Sequence, residues 1–171
     1  GEQAFSVSGW IYRVSGFYIV AKHETGGSGG SNKEFDLFRR GDDKLQFTIY
    51  DKSAGVSLGV KSSRSLTNNE WVHFAITYTG RGKADGTSAL NIYVDGVGGS
   101  SSVASSMSYE GMENLNANLT IGGSSELSSA NFWRGSMAEI QVWNKALTDD
   151  QVSTLYRMSL QGIKDEKTVQ T

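Results

Sequence analysis

Hydrophobic and polar residues alternate with a period of two along much of the chain. Within residues 45–50, Leu45, Phe47 and Ile49 occupy every second position, and residues 71–79 and 89–94 repeat the pattern. Such alternation is typical of β-strands with one buried face. Further strands are predicted at residues 5–13, 17–24, 34–39, 56–60, 118–122 and 137–143, which makes about nine in all. The residues predicted to contribute to the interior or its edge are Trp10 or Ile11, Phe47, Trp71, Phe74, Ile92, Ile121, Ile140 and Val142.

Turn signals separate the strands, and one capping box predicts a helix. Glycine, serine or mixed charges mark turns at residues 25–33 and 40–43. The Thr148 hydroxyl and the Gln151 side chain have the spacing of reciprocal caps, which predicts a helix of about two turns running toward Arg157. Strands and helices do not alternate, so the pattern predicts an all-β, two-sheet antiparallel β-sandwich with one short C-terminal helix.

Composition narrows the choice of partners. Sixteen Lys and Arg against eighteen Asp and Glu give a net charge of −2, and no basic run suits nucleic acid. The longest apolar run, residues 17–21, is far shorter than the roughly 20 residues that cross a bilayer, so membrane insertion is not expected. Cysteine is absent, which excludes disulfides, thiolate zinc sites and a cysteine nucleophile.

Five segments of the chain carry a family resemblance. They are FSVSGWI (5–11), IVAK (19–22), NEWVHFA (69–75), LNIYVDG (90–96) and GSMAEIQVWNKAL (135–147). In this order and at these distances they resemble the laminin G-like jelly-roll domains of the concanavalin A-like lectin/glucanase superfamily. The resemblance implies two sheets packed face to face, mostly used to recognise glycans or proteins. We expect this domain to comprise residues 1–157, followed by a linker or docking tail at 158–171.

The resemblance also implies a calcium site at the rim of the sandwich in many relatives. Their last strand begins Ile-Asp-Glu, whereas this chain has Met137, Ala138 and Glu139 there. Ala138 has no side-chain oxygen, and strand alternation should turn Glu139 to solvent, so calcium is disfavoured. The weak metal candidates elsewhere are Glu110, Glu113, Asn114 and Asn116.

Glycan binding calls for an exposed aromatic plane beside groups that hydrogen-bond hydroxyls. Two loops, 97–118 and 124–134, have this composition, and we expect them to form one rim. The candidate ligand-binding residues are Tyr109, Asn131, Trp133 and Arg134. For Trp133, packing over the edge of the sandwich is the alternative.

Catalysis has weaker support than binding. Glycosidases need two carboxylates that flank the scissile bond, and the single candidate pair is Glu34 and Asp36, which share a strand face. We interpret these acids as a solvated strand face, and His73 as a packed structural residue. The run Gly26-Gly27-Ser28-Gly29-Gly30 has the letters of a Gly-x-Ser-x-Gly motif, but it lies in a Gly/Ser-rich turn that leads into a predicted strand, whereas a nucleophile elbow leads into a helix.

The leading hypothesis is therefore a non-catalytic, extracellular, lectin-like module that binds a glycan. The alternative is a structural or adhesive module of a virion, as a decoration or fibre domain, or of a bacterial surface protein. Its partner would be a surface protein, or further copies of the chain as a homo-oligomer within a larger assembly. A glycosidase-like enzyme is the third hypothesis. The expected location is extracellular, on a cell surface or on a virion surface.

Overall fold

Two antiparallel β-sheets form the sandwich. The computed structural model describes residues 3–24, 32–123 and 132–169. The strands in these ranges are β1 (Phe5–Ser15), β2 (Tyr18–Glu24), β3 (Asn32–Arg39), β4 (Lys44–Asp51), β5 (Val56–Ser65), β6 (Trp71–Tyr78), β7 (Leu90–Val94), β8 (Val97–Gly98), β9 (Ser100–Ala104), β10 (Leu119–Ile121) and β11 (Arg134–Trp143). One sheet has the order β11-β1-β6-β7-β8 and the other β10-β2-β3-β4-β5-β9. The predicted two-sheet antiparallel sandwich is confirmed.

The core lies between the two sheets and follows the predicted alternation. Phe74 of β6 and Phe47 of β4 have no exposed surface, and Ile11 and Ile92 are equally well buried. Ile140 is partly buried and packs against this cluster. These contacts confirm the predicted interior at five positions.

Three predicted core residues are corrected by the structure. Trp71 is half-buried, because it lies in β6 on the face opposite Phe74, where it packs against Tyr12. Ile121 and Val142 are 53% and 59% exposed. They belong to β10 and β11, the two edge strands on one side of the sandwich, where one neighbouring strand is missing.

The sequence pattern missed β8 and β9, which lie inside the predicted loop 97–118. β9 has the sequence SSSVA, so it lacks the apolar alternation that marks a strand. It is nevertheless an edge strand, because it pairs with β5, which extends to Ser65 rather than ending at residue 60.

In the described residues the sheets are accompanied by two α-helices, α1 (Gly82–Asp85), a single turn, and α2 (Asp149–Val169), and by a short 3-10 helix at Gly86–Ala89. The capping box is confirmed, since the Thr148 amide donates to Gln151 Oε1 at 3.1 Å and the Gln151 amide donates to Thr148 Oγ1 at 3.3 Å. The helix is longer than predicted, because it continues through residues 158–169. A linker or docking role for that segment stays a prediction.

The outer face of the five-stranded sheet is covered by α2. The Trp10 indole donates to Ser159 Oγ at 2.9 Å, and the Tyr93 hydroxyl donates to Asp149 Oδ1 at 2.6 Å. The Tyr156 ring lies 5.7 Å from the rings of both Trp10 and His73. Trp10 is thus buried under the helix, whereas Ile11 is buried between the sheets. No helix in the described part of the chain combines the length and apolarity that a membrane span requires.

His73 is enclosed by this helix contact, as the interpretation of a packed structural residue required. It is 2% exposed, and its Nδ1 has no hydrogen-bond partner among the described residues. Burial disfavours the charged imidazolium and lowers the pKa of His73 to about 4.

Acid should therefore weaken the fold between pH 6.5 and about 4. In this range the unfolded chain binds a proton at residue 73, with an ordinary pKa of 6.5, while the folded chain does not. The free energy of unfolding should fall by up to roughly 3 kcal/mol from this group, at about 1.4 kcal/mol per pKa unit. Urea unfolding at pH 7.5, 6 and 5 measures the loss, and His73→Phe, which keeps a ring under α2, should reduce it. An equal loss in both proteins would show that other groups cause it.

Candidate functional site

The two loops are predicted to share a rim, but their described residues 109–117 and 132–134 lie at opposite ends of the sandwich, so the expectation is wrong for these residues. Arg134 pairs with Ser15, where β1 ends. The loop of Tyr109 instead reaches Asp51, where β4 ends, because the amide of Glu110 donates to Asp51 Oδ2 at 2.7 Å. We call these the Ser15 end and the Asp51 end. β1 also begins at the Asp51 end.

Two of the predicted ligand-binding residues are buried. This corrects the assignment of Tyr109, and it confirms the packing interpretation given for Trp133. Tyr109 is 2% exposed and Trp133 is 9% exposed, and both belong to the core cluster. The Tyr109 ring packs so closely over Gly82 that a Cβ there would lie 2.6 Å from its Cε1. Trp133 packs at the edge of the sandwich, with its amide donating to the Gly122 carbonyl at 2.8 Å. In this conformation neither ring offers a face to a sugar.

The other two predicted residues have different outcomes. Arg134 is exposed at the Ser15 end, and its role in binding stays a prediction. Asn131 lies outside the described residues. The exposed ring beside them is Phe132, at 41% exposure, which the sequence reasoning passed over. The sequence signal that could have identified Phe132 is its position next to Trp133. Neighbouring side chains in an extended segment point to opposite sides, so if Trp133 is buried then Phe132 faces solvent.

At the Asp51 end, a buried carboxylate fastens the 109–117 loop to the β4–β5 turn. Asp51 is 1% exposed. Its Oδ1 accepts from the Ser53 hydroxyl and the Ala54 amide, each at 2.8 Å. Its Oδ2 accepts from the amides of Glu110 at 2.7 Å and Gly111 at 3.3 Å. Four donors therefore converge on one side chain and join two loops.

Glu113 and Glu34 extend this arrangement. Glu113 accepts from the amides of Lys52 at 2.8 Å and Ser53 at 2.7 Å. Glu34 is 3% exposed, accepts from the Leu115 amide at 2.8 Å and forms an ion pair with Lys22. We call Glu34, Asp51 and Glu113 the carboxylate clasp.

Hydrogen bonding keeps Asp51 and Glu113 ionised. Burial raises the pKa of Asp51, but the donors, led by the Ala54 and Glu110 amides, outweigh burial and hold that pKa below its usual value. In Glu113, burial is likewise outweighed by the Lys52 and Ser53 amides, and the pKa is lowered. Both groups contribute stability that is present above their unfolded pKa values and lost as the pH falls through the lowered ones.

Asp51→Asn should loosen the 109–117 loop. The substitution replaces one acceptor oxygen with an NH₂ group that faces donors, so the free energy of unfolding should fall by roughly 1.5–3 kcal/mol. Chemical denaturation measures this loss, and hydrogen exchange at the Glu110 and Gly111 amides should become faster. Asp42→Asn, at an exposed carboxylate of the Ser15 end, is the matched control. Equal stability and unchanged exchange in the two variants would contradict the role of Asp51.

The predicted metal candidates do not fit a calcium site. Glu110 forms an ion pair with Lys83, and both carboxylate oxygens of Glu113 accept backbone amides. Asn114 and Asn116 are exposed. The described residues contain no group of three or more Asp, Glu, His or Cys side chains that could hold an ion. At the position of the family's ligand, Ala138 is half-buried and Glu139 is exposed.

Weak or no calcium dependence thus stays our prediction, now with a physical reason. Any ion bound only by the folded chain raises the unfolding free energy by about 2.7 kcal/mol at 100 times its dissociation constant. Thermal unfolding in a chelator and in millimolar calcium should give the same midpoint. A rise of several degrees in calcium would contradict the prediction.

Two clefts open at the Asp51 end. The larger, of about 580 Å³, we call the amide cleft; it is lined by Gln3, Ala4, Phe5, Glu34, Met112, Glu113, Asn114, Val142, Trp143 and Asn144. The second, of about 460 Å³, we call the lysine cleft; it is lined by Lys33, Tyr50, Asp51, Lys52, Gly55, Val56 and Ser57. The hydrogen bond from the Lys52 amide to Glu113 joins a wall of one cleft to a wall of the other.

The amide cleft combines polar and apolar groups. The side chains of Gln3, Asn114 and Asn144 are exposed, and each amide offers both a donor and an acceptor. Trp143 is half-buried, and the exposed surface of Val142 belongs to this cleft. Val142 and Trp143 therefore contribute apolar surface to the lining of the cleft.

The acids Glu34 and Asp36 do not form a solvated strand face, which corrects our interpretation. They are 3% and 1% exposed. Asp36 accepts from the Tyr50 hydroxyl at 2.9 Å, and His23 Nδ1 lies 3.5 Å from the same oxygen, Oδ2. Each acid thus has structural partners within the sandwich.

The family follows from the sequence. A profile of the laminin G group of the concanavalin A-like lectin/glucanases superfamily matches residues 1–153. The chain belongs to this family. The resemblance carried by the five segments is confirmed. No curated protein matches the chain in sequence.

Solved structures share the fold at low sequence identity. The NanB sialidase from Streptococcus pneumoniae is 21% identical with a TM-score of 0.67; the match covers 90% of this chain and 24% of that one. The CBM40 of the Ruminococcus gnavus IT-sialidase, bound to α2,3-sialyllactose, is 12% identical with a TM-score of 0.63 over 90% and 83% of the chains. Domain 4 of the Geobacillus stearothermophilus arabinanase AbnA, in complex with arabinotriose, is 16% identical with a TM-score of 0.57 over 91% and 66%. This chain spans about a quarter of the NanB sialidase.

Proposed function

We propose that the chain is a non-catalytic, extracellular recognition module that binds a carbohydrate in the amide cleft. The observation that carries this proposal is that three exposed side chains with amide groups line the larger cleft of the Asp51 end together with the aromatic residue Trp143. Sugar hydroxyls both donate and accept hydrogen bonds, as amides do, and the apolar face of a sugar ring packs against aromatic rings.

The scaffold suits this role. Asn114 follows the 109–113 segment that the carboxylate clasp fastens to the sandwich, and Asn144 follows directly after β11. Binding residues held by a rigid frame lose little entropy on complex formation. Two structures of the same fold contain sialyllactose and arabinotriose, so the fold accommodates carbohydrate ligands in those proteins.

A protein partner is the second candidate, favoured by a groove of about 330 Å³ beside α2. Trp143, Leu147, Leu155 and Met158 give it apolar walls, and Met158 is 75% exposed. Exposed apolar surface of this kind is typical of protein contacts. This groove would serve the structural or adhesive alternative, including self-association in a larger assembly.

A glycan array followed by calorimetry on the best ligand tests the proposal. The double variant Asn114→Ala/Asn144→Ala should bind at least about tenfold more weakly, because each lost hydrogen bond costs about 1 kcal/mol. Asn116→Ala is the matched control, since Asn116 is exposed on the same loop but does not line the cleft. The three proteins should unfold at similar temperatures, as the altered side chains are exposed. Binding that survives the double variant, or no binding to any glycan, would refute the proposal.

A further inference from the structure

The lysine cleft differs from its neighbour in charge. Two ammonium groups line it, those of Lys33 and Lys52, together with one carboxylate, that of Asp51. Asp51 is 1% exposed, and its two oxygens already accept four hydrogen bonds. The carboxylate is therefore turned away from the cleft, and the groups left to meet a ligand are cationic.

Tyr50 gives this cleft a fixed aromatic wall. The Lys33 ammonium lies 5.5 Å from the centroid of the Tyr50 ring, within the range of a cation–π contact. The Lys52 ammonium donates to Asn32 Oδ1 at 2.8 Å. The Lys33 ammonium is thus held over the ring and the Lys52 ammonium is held at Asn32, while an ammonium has three donors and can still bind a further acceptor.

A buried carboxylate orients the Tyr50 ring from behind. The Tyr50 hydroxyl donates to Asp36 Oδ2 at 2.9 Å, and His23 stands beside the same oxygen. Burying Asp36 at 1% exposure costs free energy, and its Oδ1 has no hydrogen-bond partner among the described residues. Burial and the neighbouring Asp36 also raise the pKa of Tyr50, so the phenol stays neutral and keeps donating.

We infer that the lysine cleft binds an anionic sugar residue, carrying a carboxylate or a sulfate, of the glycan whose neutral part occupies the amide cleft. This inference rests on the proposed function. The two clefts adjoin, because the amide of Lys52 in the lining of one donates to Glu113 in the lining of the other at 2.8 Å, and one oligosaccharide would occupy both. The anion would accept from the Lys33 and Lys52 ammonium groups, and the Tyr50 ring would pack against the sugar.

The test compares neutral oligosaccharides with their sialylated, uronic-acid and sulfated counterparts on one array. The best neutral ligand is then titrated beside its charged partners. At least one charged form should bind about tenfold more tightly than the neutral form, and its advantage should shrink as salt rises from 50 to 500 mM. Comparing the carboxylated and sulfated partners identifies which anion is preferred.

Lys33→Gln/Lys52→Gln should abolish the preference for the charged glycan and leave affinity for the neutral one nearly unchanged. Lys44→Gln/Lys61→Gln, which removes two lysines toward the Ser15 end, is the charge-matched control and should keep the preference. A preference that survives in the double variant, or no preference in the unaltered chain, would overturn the inference.

The two proposals fail in distinguishable ways. If neutral glycans bind and Asn114→Ala/Asn144→Ala weakens them while charged glycans gain nothing, the inference on the lysine cleft fails alone. If no glycan of any kind binds, both proposals fail.

Discussion

The arrangement of the candidate site depends on backbone amides that donate to buried carboxylates. Asp51 alone accepts four hydrogen bonds from two loops, and Glu113 accepts two from the turn after β4. Ionised acceptors bind amides more strongly than neutral ones do, and their negative charge persists because those bonds lower the pKa values. The clasp thereby holds the Glu113 wall of the amide cleft against the Lys52 wall of the lysine cleft.

The core between the sheets and helix α2 support the Asp51 end of the sandwich but do not line its clefts. Interdigitated apolar side chains fix the two sheets, and α2 seals the outer face of the five-stranded sheet over Trp10 and His73. Because the helix covers that face, the recognition surfaces that we propose lie at the Asp51 end and beside α2. A rigid sandwich with variable loops is a common way to carry a binding site.

Sequence pattern predicted the sandwich well and the site poorly. Strong alternation located β4 and β6, and the capping box located the start of α2, because both signals are local. The burial of Tyr109 depends on Gly82, a contact between residues distant in sequence that no local pattern shows. In the sequence, Asp51 looks like any acidic residue at a turn. Its role could not be predicted, because its hydrogen bonds to Glu110 and Gly111 form only when two loops come together in the fold. Asn114 was identified for its oxygen, but as a metal ligand rather than as part of an amide cleft.

Mapping a bound oligosaccharide by NMR tests the central claim most directly. On titration with the best array ligand, our account predicts the largest shift changes in the side-chain amides of Asn114 and Asn144 and in the indole of Trp143. The amides of Phe132 and Arg134, at the Ser15 end, should stay unchanged. Shift changes concentrated around Phe132 and Arg134, with none in the amide cleft, would contradict the account and place recognition at the opposite end of the sandwich.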